Sequence, residues 1–348
     1  MAKTKSDTDA QSFLAKAGRR PTSYDVARLA GVSQSAVSRC FAPNASIGQA
    51  KREKILKVAA EIGYKPNALA QALISKRTHL VAVLISSNTN LTYPEVLAGL
   101  CASLTDRDMR VLLFSLRSES DVDQIIHQIW RHSVDGVIAA VRLSDDQLAE
   151  FARHRIPVVL YNRMASGGGA GSIRCDSAQG ERDLVTRLLD SGHRRFGVIA
   201  GPEDSYVGEE RRQATLATLA AAGMTDVPVV RGDYSYASGR AGLISLLQER
   251  PQLDAIVCGS DMMAIGAMDG ARQDCARRIP QDLSIVGFDG SGPAMWESYR
   301  LTTIRQPVNR MTEASVAMLM ERLDDPSVPA EQRLFSGELI IGESARFA

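Results

Sequence analysis

Apolar positions follow two different rhythms along the chain. Around Gly31, Val26, Leu29, Ala30, Val32 and Val37 form an inner face on two short helical stretches, Ser23–Ala30 and Gln34–Phe41. Further on, Ile55, Val58, Ala59 and Ile62 recur at i, i+3, i+4 and i+7, which predicts a third helix over Gln49–Ile62. From Leu80 the rhythm changes. Short continuous apolar runs occupy Leu80–Ile85, Val111–Phe114, Val137–Val141, Val158–Tyr161, Phe196–Ala200, Ala255–Cys258 and Leu283–Phe288. Helical stretches such as Tyr93–Arg107, Ser120–Arg131 and Met262–Gln273 separate them. Continuous runs suit strands covered on both faces. The β-α-β order predicts parallel sheets with helices on both sides, and so many elements imply two α/β lobes. Ligands of such folds bind beyond the carboxyl ends of the strands.

The helical front carries its own punctuation. Thr22 with Asp25 three residues later is a start resembling a capping box, with Asp in place of the usual Glu. Gly31 stands where a helix ends in a left-handed residue, and Ser33 caps the next helix. Ala27 before the turn and Val37 after it allow two helices to cross closely, as in a helix-turn-helix whose second helix enters the major groove. The exposed positions of that second helix are then Gln34, Ser35, Ala36, Ser38 and Arg39. Gln suits adenine and Arg suits guanine in the major groove. Gly63 and Pro66 end the third helix. Asn67 caps a short segment, Ala68–Ile74, that is too short to be stable alone and calls for DNA or a second copy as partner.

Charge separates the two regions. Of 348 residues, 41 are Lys or Arg and 40 are Asp or Glu, so the whole chain is close to neutral. Residues 1–77 carry 14 basic and 5 acidic residues, a net of +9, and residues 78–348 carry a net of −8. A basic reader joined to an acidic remainder predicts DNA contact confined to residues 1–77, with affinity that falls steeply with salt. Residues 1–20 read as a flexible basic arm, in which Lys3, Lys5, Lys16, Arg19 and Arg20 either touch phosphates or are simply solvated. Aromatic residues make up 5%, too few for a single-strand stacking platform. No apolar run is long enough to span a bilayer, and the first twenty residues lack the apolar core of a signal peptide. Five scattered cysteines without a C-x-x-C fit reduced thiols in the cytoplasm, with no disulfide framework and no zinc site.

Blocks of residues in order carry a resemblance. Tyr24-Asp25-Val26-Ala27, Ala30-Gly31-Val32-Ser33, Val37-Ser38-Arg39 and Gly63-Tyr64-Lys65-Pro66-Asn67, followed by Ala70 and Leu73, resemble the headpiece of the lactose-repressor (LacI/GalR) family. The resemblance implies a homodimer on a near-palindromic duplex operator, with Gln34, Ser35 and Arg39 reading bases. It implies phosphate contacts from Thr22, Tyr24, Ser33, Ser38, Lys51 and Tyr64, and a minor-groove hinge of Asn67, Ala70 and Leu73, with Leu73 as the intercalating wedge. Ala36, Ala42 and Gly48 depart from the polar residues of the lactose repressor at those places, and Gly48 is the weaker cap. The domain boundaries that follow are an arm (1–20), a helix-turn-helix domain (21–65), a hinge (66–78) and a two-lobed, periplasmic-binding-protein-like α/β core (79–348) with crossovers near 174, 305 and 335.

The resemblance continues through the core. Gly201-Pro202 with Arg211, Gly232-Asp233-Tyr234, Ser260-Asp261-Met262-Met263-Ala264-Ile265-Gly266 and Ser284-Ile285-Val286-Gly287-Phe288-Asp289 match the family's effector-lobe segments. Ser87, Asn88, Asn162, Ser260 and Asp289 follow strands and are candidate effector groups together with Tyr93; the resemblance implies Arg211, Tyr234 and Asp289 as effector contacts. Asn162 departs from the Asp of many members, and a neutral amide near Arg163 and Arg211 tolerates an anionic sugar. The effector is thus expected to be a sugar, a sugar acid or a sugar phosphate. Gly167–Gly171 reads as a flexible loop at the mouth of the cleft and lacks the pattern of a phosphate-binding loop. Without leucine heptads after Leu339-Ile340-Ile341, a dimer is expected rather than a tetramer.

No catalytic constellation is visible: there is no G-x-S-x-G, no Cys/His motif, and the adjacent pairs Asp145-Asp146 and Glu209-Glu210 point apart on helices. The expected function is a transcriptional regulator, a repressor, controlled allosterically by a small effector, with no metal and no cofactor. An α/β sugar-converting enzyme with a DNA-targeting module is the alternative, and a secreted solute-binding protein has no use for residues 21–74.

Overall fold

The computed structural model describes residues 19–41, 47–65, 77–86, 93–116, 121–164 and 169–347. The chain divides into two compact units, Met1–Thr78 and His79–Ala348.

In the first unit, α1 (Ser23–Ala30), α2 (Gln34–Cys40) and α3 (Gln49–Glu61) surround a core of Val26, Ala30, Val37, Cys40, Ile55, Val58, Ala59 and Ile62. Local chemistry sets each end. The Asp25 carboxylate accepts from the Thr22 backbone N–H at 2.9 Å and its hydroxyl at 2.7 Å, closing the cap before α1. Gly31 ends α1 at φ +63°, a left-handed conformation that costs other residues strain. Ser33 Oγ accepts the Ala36 N–H and caps α2. Gly48 precedes α3 with no side-chain cap.

Two expectations for this unit change. Ala36 is buried, 4% exposed, and belongs to the core cluster with Val26, Ala27, Ile55 and Val58 rather than to the outer surface of α2. Arg19 is not part of a solvated arm: its guanidinium grips Asp25 through two hydrogen bonds of 2.8 and 3.0 Å. Arg19 and the Thr22 cap together hold the Asp25 carboxyl well below the usual carboxylate range. A carboxyl lowered in the folded state stabilises fully above its unfolded value near 4, and that contribution is lost as pH falls below it. Thermal melts of residues 19–65 between pH 5 and 2 should therefore show acid loss of stability, reduced in Arg19→Ala; identical acid profiles would show that the pair is not formed.

In the second unit, one six-stranded sheet has the order β11-β5-β4-β3-β1-β2 and the other β12-β10-β9-β8-β6-β7. The first contains β1 (Leu80–Ser86), β2 (Arg110–Leu116), β3 (Gly136–Ala139), β4 (Val158–Tyr161), β5 (Gly171–Cys175) and β11 (Gln332–Phe335). The second contains β6 (Phe196–Ala200), β7 (Val229–Arg231), β8 (Ala255–Cys258), β9 (Ser284–Asp289), β10 (Thr302–Arg305) and β12 (Glu338–Ile340). All pairings are parallel except β10 with β12. The chain passes between sheets after β5, after β10 and after β11. The helices are α4 (Tyr93–Thr105), α5 (Val122–His132), α6 (Asp145–Arg153), α7 (Ser177–Asp190), α8 (Tyr206–Ala221), α9 (Tyr236–Glu249), α10 (Asp261–Gln273) and α11 (Val308–Asp324). Strand residues such as Val81, Leu84, Val159, Ile256 and Phe288 are buried, as expected of sheets covered on both faces.

The glycine run is placed differently from the sequence reading. Gly171 opens β5 and lies opposite Val159 near the start of β4. Residues 169–171 thus sit at the end of the sheet remote from the strands' carboxyl ends, not at the mouth of a cleft. Gly169 accepts a hydrogen bond from Arg322, and a side chain at Gly171 would collide with Met318, so this glycine serves close packing on α11.

Candidate functional site

The first unit presents α2 with Ser35 and Arg39 exposed and Gln34 and Ser38 half-buried. Gln34 Nε2 donates to Ser23 Oγ at 3.3 Å, and Ser33 and Ser35 hydroxyls lie 3.0 Å apart. Arg39 Nε reaches back to the Ser35 carbonyl at 3.4 Å, so its terminal nitrogens face outward from an exposed side chain. Around this helix, Thr22, Ser33 and Lys51 are exposed and Tyr24 is 72% exposed. Tyr64 is half-buried with its ring 5.6 Å from Phe41, and burial pushes its hydroxyl up, which keeps it a neutral donor. Exposed Arg20, Arg28, Arg52 and Lys54 add positive charge. The arrangement is a small positively charged unit with a protruding helix, suited to a polyanionic groove. Ser23, which positions Gln34, was not singled out by the sequence; its place at the first turn of α1 reads as capping chemistry. Asn67, Ala70 and Leu73 lie outside the described residues.

In the second unit, the carboxyl ends of β4, β5, β6, β8, β9 and β10 converge with the amino ends of α7, α8 and α10. Arg211, on the second turn of α8, is 4% exposed. Its Nη1 donates to the Gly259 carbonyl at 2.7 Å, its Nη2 to Asp289 Oδ1 at 3.2 Å, and its Nε to Ser177 Oγ at 3.4 Å. The guanidinium lies 3.7 Å above the Phe288 ring. Burial is the largest influence and opposes its charge, but Asp289 and, behind it, Tyr234, Glu181 and Cys175 together outweigh burial and hold Arg211 cationic. Burial pushes the Asp289 carboxyl up, while Arg211 and Gln306 pull it back down.

Asp289 Oδ1 also accepts from Gln306 Nε2 at 2.8 Å. Gln306 Oε1 in turn accepts from Asn162 Nδ2 at 2.7 Å, and Asn162 Oδ1 accepts the Cys175 N–H at 3.0 Å. A single polar chain thus runs from the end of β5, through Asn162 after β4 and Gln306 after β10, to Asp289 and Arg211, linking both sheets. This removes Asn162 and Arg211, though not Arg163, from the electrostatic reason for an anionic effector. Both polar atoms of Asn162 are spent on the chain, and the charge of Arg211 is matched by Asp289.

The other expected residues are placed as follows. Tyr234, at φ +67°, sends its hydroxyl to within 2.7 Å of Ser205 Oγ, its ring end lying against Gly201 and Gly208. Ser260 is fully buried and accepts the Met263 N–H, capping α10. Ser87 and Asn88 lie outside the described residues, and Tyr93 begins α4. Sequence reasoning missed Gln306, Ser205, Arg174 and Tyr206. Arg174 leaves the first sheet to meet the Tyr206 hydroxyl at 3.3 Å and Glu210 at 3.5 Å on α8, and Tyr206 Oη reaches Met164 Sδ at 3.7 Å. Proximity to strand ends was their only sequence signal.

The chemistry available is recognition. Burial pushes the Cys175 thiol up to about 12, which excludes a thiolate nucleophile there. No group of three or more His, Cys, Asp or Glu among the described residues is arranged to hold a metal. No described helix is long and apolar enough to cross a membrane.

Comparison with known proteins agrees with both units. Residues 22–67 match the family model of bacterial regulatory proteins, lacI family, and residues 185–345 match a periplasmic binding protein-like domain. The chain is 31% identical over 336 residues to the HTH-type transcriptional regulator CelR of Thermobifida fusca, covering 94% of this chain and 98% of CelR. It is 30% identical to catabolite control protein A of Priestia megaterium, covering 88% and 94%. Among solved structures, a CelR–cellobiose complex superposes with a TM-score of 0.72 at 30% identity, covering 94% of this chain and all of that one. The lac repressor dimer bound to operator and the anti-inducer ONPF superposes with a TM-score of 0.84 at 27% identity, covering 94% and 99%. These relatives are regulators, and the enzyme alternative finds no support among them. The chain therefore belongs to the lacI family of bacterial regulatory proteins, and it is a DNA-binding, effector-responsive transcriptional regulator.

Proposed function

We propose that the protein is a cytoplasmic homodimeric repressor that binds a near-palindromic operator through residues 21–65 and releases or grips it according to a neutral sugar held between the lobes of residues 79–348. In this reading residues 1–20 form an arm tied down at its end by the Arg19–Asp25 pair, and residues 66–78 form a hinge in which Leu73 wedges the minor groove. The observation that carries the sensor half is the internally neutralised chain Asn162–Gln306–Asp289–Arg211. The chain offers hydrogen-bonding groups at the strand ends and carries no net charge of its own, which suits hydroxyl groups better than a carboxylate or phosphate. The solved complex of the similar CelR holds cellobiose, which supports the same effector class here.

Thermal shift with cellobiose, ribose, gluconate and glucose 6-phosphate tests the class. A ligand at 100 times its Kd stabilises by about 2.7 kcal/mol. The expected result is a raised melting temperature with a neutral sugar and none with the two anions; stabilisation by an anion alone overturns it.

Gln34, Ser35 and Arg39 are the base readers in this reading, with Thr22, Tyr24, Ser33, Ser38, Lys51 and Tyr64 on phosphates. Selection from a random duplex pool should return a different preferred sequence for Gln34→Ala, since a bidentate base contact discriminates by about 1–3 kcal/mol. Lys51→Ala should weaken all sequences alike and lower the salt slope by about one. An unchanged profile for Gln34→Ala removes α2 from the major groove.

A further inference from the structure

The first sheet of the core has a rim made by the starts of four adjacent parallel strands. Leu80 pairs with Arg110, Val81 with Gly136 and Val137 with Val158, so the segments entering β1, β2, β3 and β4 end level with one another. The chain coming from the DNA-reading unit enters the core at this rim. His79 is pinned there: its N–H donates to Asp135 Oδ2 at 2.7 Å, and its carbonyl accepts from Arg110.

Two helices also end at the rim, α5 in Arg131-His132 and α6 in Arg153-His154-Arg155. Trp130 ties the ends together, stacking on His154 at 4.3 Å, packing on Phe151 at 5.1 Å and donating its indole N–H to Glu150 at 3.0 Å. All five basic side chains are exposed. None has an ion-pair partner among the described residues. The nearby carboxylates have other partners: Glu150 binds Trp130, Asp135 binds His79, and exposed Asp108 pairs with His79 and Arg110. Arginines of the second lobe divide: Arg195, Arg240, Arg250 and Arg278 each pair with an aspartate, whereas exposed Arg182 and Arg272 have no ion-pair partner among the described residues.

Cations at helix ends meet the helix dipole, which accounts for Arg131 and Arg153 locally. It does not account for Arg155. That residue lies beyond α6 at φ +57°, where glycine or asparagine is unstrained. We propose that Arg131, Arg153 and Arg155 form a second phosphate-binding surface, which engages the backbone of the duplex flanking the operator. Exposed guanidinium groups without acidic partners suit phosphate oxygens, and such contacts position the protein without reading sequence. This departs from the expectation that DNA contact is confined to residues 1–77. The net negative charge of the core is an average over a surface whose tethered edge is positive.

The test uses the full chain and a duplex it enriches from a random pool. One version of the duplex ends at the site; the other carries about one further helical turn on each side. The wild type should bind the longer duplex about three- to tenfold more tightly, with a salt slope steeper by about 2–3, near 0.9 per phosphate. R131A/R153A/R155A should match wild type on the short duplex and lose the gain on the long one; R131K/R153K/R155K should keep most of it. Equal wild-type affinity for both lengths overturns the proposal. So does a triple alanine variant that behaves as wild type on both, the result expected if the rim serves an acidic protein. An equal loss on both lengths also overturns it, since the effect then lies in the operator contact.

Discussion

Replacing Arg211 by alanine should destabilise the core by about 3–5 kcal/mol, because it strands a buried carboxylate. Asp289 is 3% exposed, and its Oδ1 would lose the Arg211 donor while keeping the Gln306 amide. The Gly259 carbonyl would lose the Nη1 donor and the Phe288 ring its overlying cation. At about 2–4 °C per kcal/mol for a unit of this size, the core should melt roughly 10 °C lower. The first unit should keep its own melting behaviour. Adding Asp289→Leu to Arg211→Met should recover much of the loss, since a buried pair exchanged for apolar groups is often neutral in stability. The same double variant should abolish sugar-induced stabilisation, separating folding from recognition. Calorimetry decides: a single variant within about 1 kcal/mol of wild type means that Asp289 is not held as described.

Gly266→Ala should be as damaging, for a reason of space alone. A Cβ on Gly266 would lie 2.0 Å from the Tyr236 carbonyl oxygen, and one on Gly239 would lie 2.1 Å from the Met263 carbonyl oxygen. Helices α9 and α10 therefore touch backbone to backbone, and no side chain can swing aside. Relief needs a helix to move, at a cost at or above the upper end of the usual 1–3 kcal/mol for overpacking. Gly270, one turn further along α10, is the internal control. Its added Cβ would meet the flexible Arg240 Cγ at 3.1 Å, and alanine gains up to about 1 kcal/mol of helix propensity. Denaturant melts should find Gly270→Ala near neutral and Gly266→Ala strongly destabilised. Equal effects would mean that propensity, not contact, governs these positions.

These two sites mark what pattern reading reaches. The motif Ser260–Gly266 was recognisable as a segment, yet nothing in it says that Gly266 faces a carbonyl thirty residues earlier. The strands read correctly were those with long apolar runs, such as β1 and β6. Strand β5, Gly-Ser-Ile-Arg-Cys, has no such run; its neighbours β4 and β11 bury it. The edge strands β7, β11 and β12 are only partly buried, so their composition carries little signal. In the site, Arg211 and Asp289 were legible because each stands in a recognisable segment. Gln306 was not, because its significance lies in a partner 144 residues away. Ala36 and Arg19 failed for a related reason: facing and pairing are set by what packs against a helix, and periodicity gives only candidates.

By itself the sequence determined the division into a basic reader and an acidic core, the helix ends of the reader, and the parallel α/β class. Each follows from near-neighbour chemistry, in which caps, glycine turns and runs of like residues act within a few positions of one another. Only the tertiary structure decided that Asn162 is a strut and that Arg211 is neutralised. It alone showed that Gly169 and Gly171 pack against α11 and that the acidic core carries exposed basic side chains where the chain enters it. Those depend on distances between residues far apart in the chain, where hydrogen bonds, desolvation and excluded volume act through space.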